Sequence, residues 1–327
     1  MNVDIMEQSQ PLNGNAQQSF HIAFCVDNHY FRSMGATMLS IIENNPDQHL
    51  TFHVFAFSVS DTHRVRLEKI NSRLNVAVQL HIIDPVLFEK FTHFIEFSYY
   101  SLSIFSRLII PSILNETTDR VLYLDADILC VGPINALFEM DISDDIAIVV
   151  PDAERTRERR CKALALKNSS YFNGGVIFIN IKKWIAADIT GESMEVLLKL
   201  GKKLRFNDQD ALNIVLDGHA RYVDKKWNYI YDLIHDLDRN VVKMRSVHDA
   251  VFIHFAGAVK PWADWTGHAS RDLFKRYHAL SPWADMPLDP EPRNSKEMRM
   301  FSRFLLKRGE LVGSARWFLR YLKARAR

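Results

Sequence analysis

The feature that most constrains this chain is a repeating order of short apolar runs, each closed by a polar residue and followed by a segment with helical spacing. "FHIAFCV" ends at Asp27-Asn28, and "YFRSMGATMLSIIEN" follows with Met34, Met38, Ile41 and Ile42 on one helical stripe. "TFHVFAFS" comes next, with Asp61 placed to cap a helix carrying Val65 and Leu67. "VAVQLHIID" closes at Asp84, "YSLSIFSRLIIPSIL" reads as a helix reaching or passing Pro111, "RVLYLD" closes at Asp125 and "DIAIVVPD" at Asp152. Strands alternating with helices predict an α/β fold, a mostly parallel sheet flanked by helices. Ligands of such sheets bind beyond the carboxyl ends of the strands. That is where the carboxylates of this chain collect.

Several function classes fall away early. No GxGxxG follows the first strand and no GxxxxGK[ST] occurs, so a bound nucleotide needs another counter-charge for its phosphates. The net charge of +2 over 327 residues does not suit a nucleic-acid binder. Cys25, Cys130 and Cys161 are dispersed and odd in number, which suits a reducing compartment rather than a disulfide framework. Residues 1–20, "MNVDIMEQSQPLNGNAQQSF", are polar and lack a basic start and an apolar centre, so they read as a flexible tail and not as a secretory signal. No apolar run reaches the roughly 18 residues of a membrane-spanning helix. A cytoplasmic location is the expectation.

The chemistry concentrates in "DRVLYLDADILCVGPINALF". Asp125 and Asp127 end a hydrophobic strand one residue apart, where unpaired they would repel each other and resist burial. A hard divalent cation resolves this, although a DxD also suits a solvated loop with Asp127 capping a helix. His254 stands alone in "VFIHFAG" and reads either as a satisfied core histidine or as a ligand. Oxygen ligands with one imidazole suit Mn²⁺ better than Mg²⁺, and the lack of a thiolate disfavours zinc. Gly257 and Lys260 share a loop able to bring an amide and an ammonium to a diphosphate. Asp208, Gln209 and Asp210 precede an apolar helix and could simply favour its dipole. Asn173 could be turn chemistry in "YFNGGVIFIN", and Arg107 could snorkel from an aromatic core segment.

Taken in order, "FCVDNHY", "FSRL", "VLYLDADIL", "YFNGGVIFIN", "NDQDALN" and "HFAGAVKPW" resemble glycosyltransferase family eight, the retaining nucleotide-sugar transferases of GT-A fold. The likeness runs from about His21 to Trp265. It implies a transferase domain over 21–270 and a helical, membrane-associating extension over 271–327, which is similar to that of bacterial lipopolysaccharide-core hexosyltransferases. The resemblance makes Asp125, Asp127 and His254 the ligands of Mn²⁺, with Mg²⁺ as the alternative ion, holding the diphosphate of a UDP-sugar and stabilising departing UDP. It places Asp27, His29, Arg107, Asp125, Ala126, Asp127, Asp152, Asn173, Gly257 and Lys260 around the donor, and Asp208 with Gln209 at the reaction centre. His29 departs from an asparagine frequent in the family, and Gly174 from an alanine or serine. Gln209 is a poor nucleophile, which favours same-face attack with Gln209 stabilising charge on the sugar ring.

The implied activity is transfer of galactose or glucose to the lipopolysaccharide outer core. "DRVLYLDADI" and "ARYVDKKWN" lean towards the galactosyl branch. Action on another glycan, such as a glycogen primer or capsule, is the alternative within the family. A dehalogenase-type phosphatase would want its DxD near the start of its domain and a Thr or Val where Leu129 stands. A non-catalytic sugar-binding module would lack the metal ligands.

The C-terminus adds one physical expectation. From Lys296 to Arg327 there are ten Lys/Arg and two Glu, a local charge of +8, so the rest of the chain carries −6. A helix from Leu311 would align Leu311, Ala315, Phe318, Leu319 and Leu322, opposite Arg316, Arg320, Lys323 and Arg327, with Trp317 and Tyr321 at a flank. This pattern suits a helix lying on the anionic cytoplasmic face of the inner membrane. It also suggests that a chain cut near Ser295 keeps its fold.

Overall fold

The computed structural model describes residues 19–94 and 102–326. Of the expected N-terminal tail, residues 1–18 lie outside the described residues, and Phe20 already opens the first strand. The strands are β1 (Phe20–Cys25), β2 (Leu50–Ala56), β3 (Val76–Ile82), β4 (Arg120–Leu124), β5 (Ile128–Cys130), β6 (Ala147–Pro151), β7 (Phe172–Asn180), β8 (Ala220–Tyr222), β9 (Tyr229–Ile230) and β10 (Phe252–His254). Seven form the main sheet in the order β3-β2-β1-β4-β7-β6-β8. Only β7 runs against its neighbours β4 and β6. The other pairs, β1 with β2 and β4, β2 with β3, and β6 with β8, are parallel.

Both faces of this sheet are covered, which explains why β2 is buried along its whole length instead of alternating. On one face Ile22, Phe24, Phe52 and Val54 pack with Met34, Met38 and Ile41 of the helix Phe31–Asn44. On the other, Ala23, Phe55, Val121 and Tyr123 pack with Phe105, Leu108 and Leu114. The chain steps outward from β1 to β3, then returns to the other side of β1 as β4. This reversal opens a crevice beyond the ends of β1 and β4, where Asp27 and Asp125 lie.

Two local readings change. Ser60, not Asp61, caps the helix Asp61–Asn71, its side chain accepting the His63 N–H. The segment expected as a helix through Pro111 is a 3₁₀ stretch, Leu102–Ile109, followed by a short α-helix, Ile110–Leu114. Pro111 sits in the first turn of that helix, where a missing N–H goes unnoticed. Tyr100 and Ser101 of the same segment lie outside the described residues.

A second, three-stranded sheet has the order β5-β10-β9. β10 is antiparallel to β5, with His254 opposite Ile128, and parallel to β9. Past β10 the chain returns to the main body. Trp283 is fully buried against the helix Phe31–Asn44, so close that a β-carbon on Gly35 would lie 2.3 Å from its ring. Arg32 and Asp289 form a buried ion pair at 2.9 Å.

The helices Ser295–Lys307 and Leu311–Arg325 form a hairpin turned at Gly309. Phe304 and Leu305 are buried, and the Phe301 ring packs on Trp265. A cut near Ser295 would uncover that cluster. Trp317 and Tyr321, expected at a flank, are instead the buried stripe of the last helix, Trp317 meeting Phe301 edge-on. Leu311, Val312, Phe318, Leu319 and Leu322 are left on the exposed side.

Candidate active site

The site forms where the two sheets meet. β4 ends at Leu124, and Asp125 leaves the sheet with its N–H still bonded to the Gly175 carbonyl. After Asp127 the chain enters β5, whose partner β10 ends on His254. The pairing therefore carries an imidazole from the distant end of the chain to the carboxylates. Asp125, Asp127 and His254 each offer a ligand atom, and these atoms all lie within 4.8 Å of one another.

Both carboxylates are divided in the same way. Asp125 Oδ1 accepts from the Tyr123 hydroxyl at 2.6 Å and from Arg107 at 3.3 Å, which leaves Oδ2 towards His254. Asp127 Oδ2 is held by the Lys260 ammonium. Asp127 Oδ1 is buried without a hydrogen-bond partner, 3.2 Å from His254 Nε2. Burial pushes Asp127 upward, but Lys260 and His254 together outweigh it and hold the carboxyl well below the usual range. It is an anion at neutral pH. Asp127 Oδ1 and His254 Nε2 thus face each other as a carboxylate–imidazolium contact or as two ligand atoms of one cation. Two carboxylate oxygens and one imidazole fit a hard to borderline divalent ion.

The second half of the site comes from β7. The register between β6 and β7 breaks at Val149 and Val150, and the bulge presents Asn173, Gly174 and Gly175. Arg107 Nη1 donates to the Gly174 carbonyl at 2.7 Å, and its Nε lies 2.8 Å from Asp208. Burial raises Asp208 to about 6 against the opposing pull of Arg107. Gln209 Oε1 accepts from the Gly174 N–H at 2.8 Å, while its Nε2 donates to Asp152 at 3.0 Å and to Tyr171 at 2.9 Å. Burial raises Asp152 above its ordinary value.

Of the three polar residues opening the helix Asn207–Val215, only Asp210 behaves as plain helix-end chemistry. It accepts from the Arg205 and Phe206 N–H groups, from Tyr171 and from Arg160. Asp208 and Gln209 point into the site.

The remaining sequence candidates are placed as follows. Asp27 turns the chain after β1, accepting from the His29 N–H, and His29 is exposed. Ala126 is buried between the two carboxylates. Gly257 has φ +100°, open to glycine and strained for other residues. Lys260 does not stand free for a ligand; it pairs with Asp127 and the Phe255 carbonyl. Sequence reading missed Tyr123, Arg160, Tyr171 and Asn228. Arg160, Tyr171 and Asn228 find their partners on other elements, and Tyr123 stands in an aliphatic run with its partner Asp125 two residues on.

Comparison with known proteins agrees with this geometry. The family model described as glycosyl transferase family 8 matches residues 21–266, and that of the family 8 C-terminal region matches 268–325. The chain is 29% identical to lipopolysaccharide 1,2-glucosyltransferase of Escherichia coli, covering 95% of this chain and 93% of that protein. It is 30% identical to lipopolysaccharide 1,3-galactosyltransferase of Salmonella typhimurium, covering 93% and 90%. Among solved structures, galactosyltransferase LgtC in complex with donor and acceptor sugar analogs superposes with a TM-score of 0.66 at 23% identity, covering 80% of this chain and 96% of that one. The fold is thus the GT-A α/β fold.

Proposed function

The chain belongs to glycosyl transferase family 8, and on that premise we propose that it moves a hexose, galactose in preference to glucose, from a UDP-sugar to a lipopolysaccharide core with retention of configuration and with Mn²⁺. The observation that carries this reading is the facing pair Asp127 Oδ1 and His254 Nε2 in a site shared with Arg107, Asp208 and Gln209. The acceptor class is supported by relatives of nearly full length that carry lipopolysaccharide hexosyltransferase names. The preference for galactose rests on the two segments noted in the sequence.

Asp125, Asp127 and His254 would hold the ion, which supplies Lewis-acid stabilisation of a leaving diphosphate. Lys260, already beside Asp127, adds a second positive charge at that end of the site. Asp208 is buried and held by Arg107, so it is badly placed to act as a nucleophile. That favours same-face attack. The acceptor oxygen bonds to the anomeric carbon as the phosphate oxygen leaves, and the acceptor proton passes to that oxygen. Gln209, fixed at both ends of its amide, stabilises positive charge on the ring.

The last helix completes the reading. No helix among the described residues is long and apolar enough to cross a membrane. The exposed side of Leu311–Arg325 nevertheless combines Leu311, Val312, Phe318, Leu319 and Leu322 with Arg316, Arg320 and Lys323. Such a surface suits peripheral binding to the anionic cytoplasmic face of the inner membrane, where a lipid-linked acceptor lies.

The deciding experiment is UDP release from UDP-glucose and UDP-galactose with Mn²⁺, Mg²⁺ or chelator, with and without truncated core acceptors. Turnover requiring Mn²⁺ and a core acceptor is expected, and lost in Asp127→Asn. Absence of turnover with either sugar in the presence of Mn²⁺ and core would overturn the reading. Turnover only with other glycans would move the acceptor class within the family.

A further inference from the structure

We propose that Asn228 is a positioning residue for the metal ligand: it fixes the tautomer and aim of His254 through a run of hydrogen bonds whose direction the backbone dictates. The run starts at an atom that can only donate. The Gly175 N–H reaches Asn173 Oδ1 at 3.0 Å, so the side-chain atom of Asn173 at that point must be its oxygen. The same oxygen receives Asn228 at 2.9 Å, so the atom Asn228 presents there must be its NH₂. Its oxygen then faces His254 Nδ1 at 2.9 Å. A carbonyl oxygen cannot donate, so the hydrogen sits on Nδ1. In the neutral ring the Nε2 lone pair is thereby turned towards Asp127 and Asp125, 3.2 and 3.9 Å away.

The far end of the run is fixed as well. Asn173 Nδ2 donates to Asp152 Oδ2 at 3.4 Å, and Gln209 Nε2 donates to the same oxygen at 3.0 Å. A carboxylate oxygen accepts, which agrees with the direction set by Gly175. Asn228 itself is 1% exposed, in the short 3₁₀ turn Lys225–Asn228 that leads into β9. β9 pairs with β10 directly beside it, so the acceptor and the imidazole are held by the same small sheet. Hydrogen-bond partners of this kind orient metal-binding imidazoles and raise their basicity.

The inference rests on the metal reading of the site, and its test keeps the two apart. In the metal-free protein, at a pH where the ring is neutral, ¹⁵N NMR of His254, assigned by difference from His254→Asn, should show protonated Nδ1 and unprotonated Nε2. In Asn228→Ala the ring should populate both tautomers. Calorimetry with Mn²⁺ in the presence of UDP should show a loss of roughly tenfold to a hundredfold in affinity for Asn228→Ala. Native circular dichroism of Asn228→Ala shows that the loss is not one of fold. An Nε2–H tautomer in the wild type would overturn the proposal without reference to any metal. So would wild-type affinity in Asn228→Ala, or an unchanged Nδ1–H tautomer in that folded variant, since a packing role alone would not move the proton. Failure of the wild type to bind Mn²⁺ would strike the metal reading, and the tautomer measurement would still decide the role of Asn228.

Discussion

A β-carbon on Gly175 would lie 2.4 Å from His254 Cε1 and 2.8 Å from Nδ1. The imidazole therefore rests against bare backbone. Gly174, its neighbour, is bounded differently: the nearest atom to a β-carbon there is Arg107 Nη1 at 2.9 Å, the end of a long side chain. Gly175→Ala should displace His254 and lower Mn²⁺-UDP affinity by at least about tenfold. Gly174→Ala should stay within about threefold, because a side-chain tip can move by tenths of an ångström at little cost. Parallel calorimetry of the two variants checks this; equal losses would show that the close approach to His254 has no special weight.

Gln209→Ala should act on the rate more than on donor affinity. Its amide is tied to Gly174, Asp152 and Tyr171, so it is preorganised for charge that develops during transfer. A fall in kcat on the order of a hundredfold is expected with a small change in donor KM. A variant with normal kcat and raised KM would make Gln209 a binding residue only.

Arg160 holds both oxygens of Asp210, at 3.1 and 2.6 Å, and the carboxylate is fully buried. Arg160→Leu removes one partner of a buried pair and should cost about 3–5 kcal/mol. Urea unfolding measures this directly. Because Asp210 also shapes the turn before Gln209, the loss of stability should come with loss of activity even where the variant is folded.

Asp208 offers a pH test. Its folded value is raised from 3.8 to about 6 by burial, with Arg107 opposing. The native state then keeps a proton that the unfolded chain has already released. Stability from this group is greatest below pH 3.8 and declines as pH rises towards 6. Asp208→Asn removes that decline. Unfolding free energies at several pH values between those limits should fall more steeply for the wild type than for the variant, and equal slopes would contradict the assignment.

The membrane reading is best tested on the exposed side of the last helix. Val312 and Leu319 are 85% and 66% exposed, so Val312→Asp with Leu319→Asp should leave the fold intact. Sedimentation with anionic vesicles should show a marked loss of binding in the double variant, and salt should weaken what remains. Unchanged binding would mean that this surface is not the one that meets lipid.

The sequence made the sheet and the carboxylates readable because they are local. An apolar run ending in Asp125-Ala126-Asp127 announces a strand end and a charge problem together. His254 was ambiguous, since a lone histidine in an apolar strand looks the same whether or not its ring faces a ligand. What decided it was the pairing of β10 with β5, which no local pattern encodes. Asn228 and Tyr171 were unreadable for the same reason, as their partners lie 26 and 39 residues away. The tail shows the opposite failure. Its apolar periodicity was plain, but Trp317 and Tyr321 could be assigned to the buried stripe only once the helix Ser295–Lys307 stood beside them.

The antiparallel register of β5 and β10 ties together thermodynamics that are usually treated apart. Asp127 and His254 sit at the facing ends of those two short strands, so a ligand gripping both braces the small sheet against opening. By mass action, a ligand present at a hundred times its dissociation constant would hold the pair closed by about 2.7 kcal/mol more than in the free protein. The backbone amides of Leu129 and Phe255 then become gauges of occupancy. Their hydrogen exchange should slow when the site is filled, while that of β2 and β3, at the far edge of the main sheet, stays as it was.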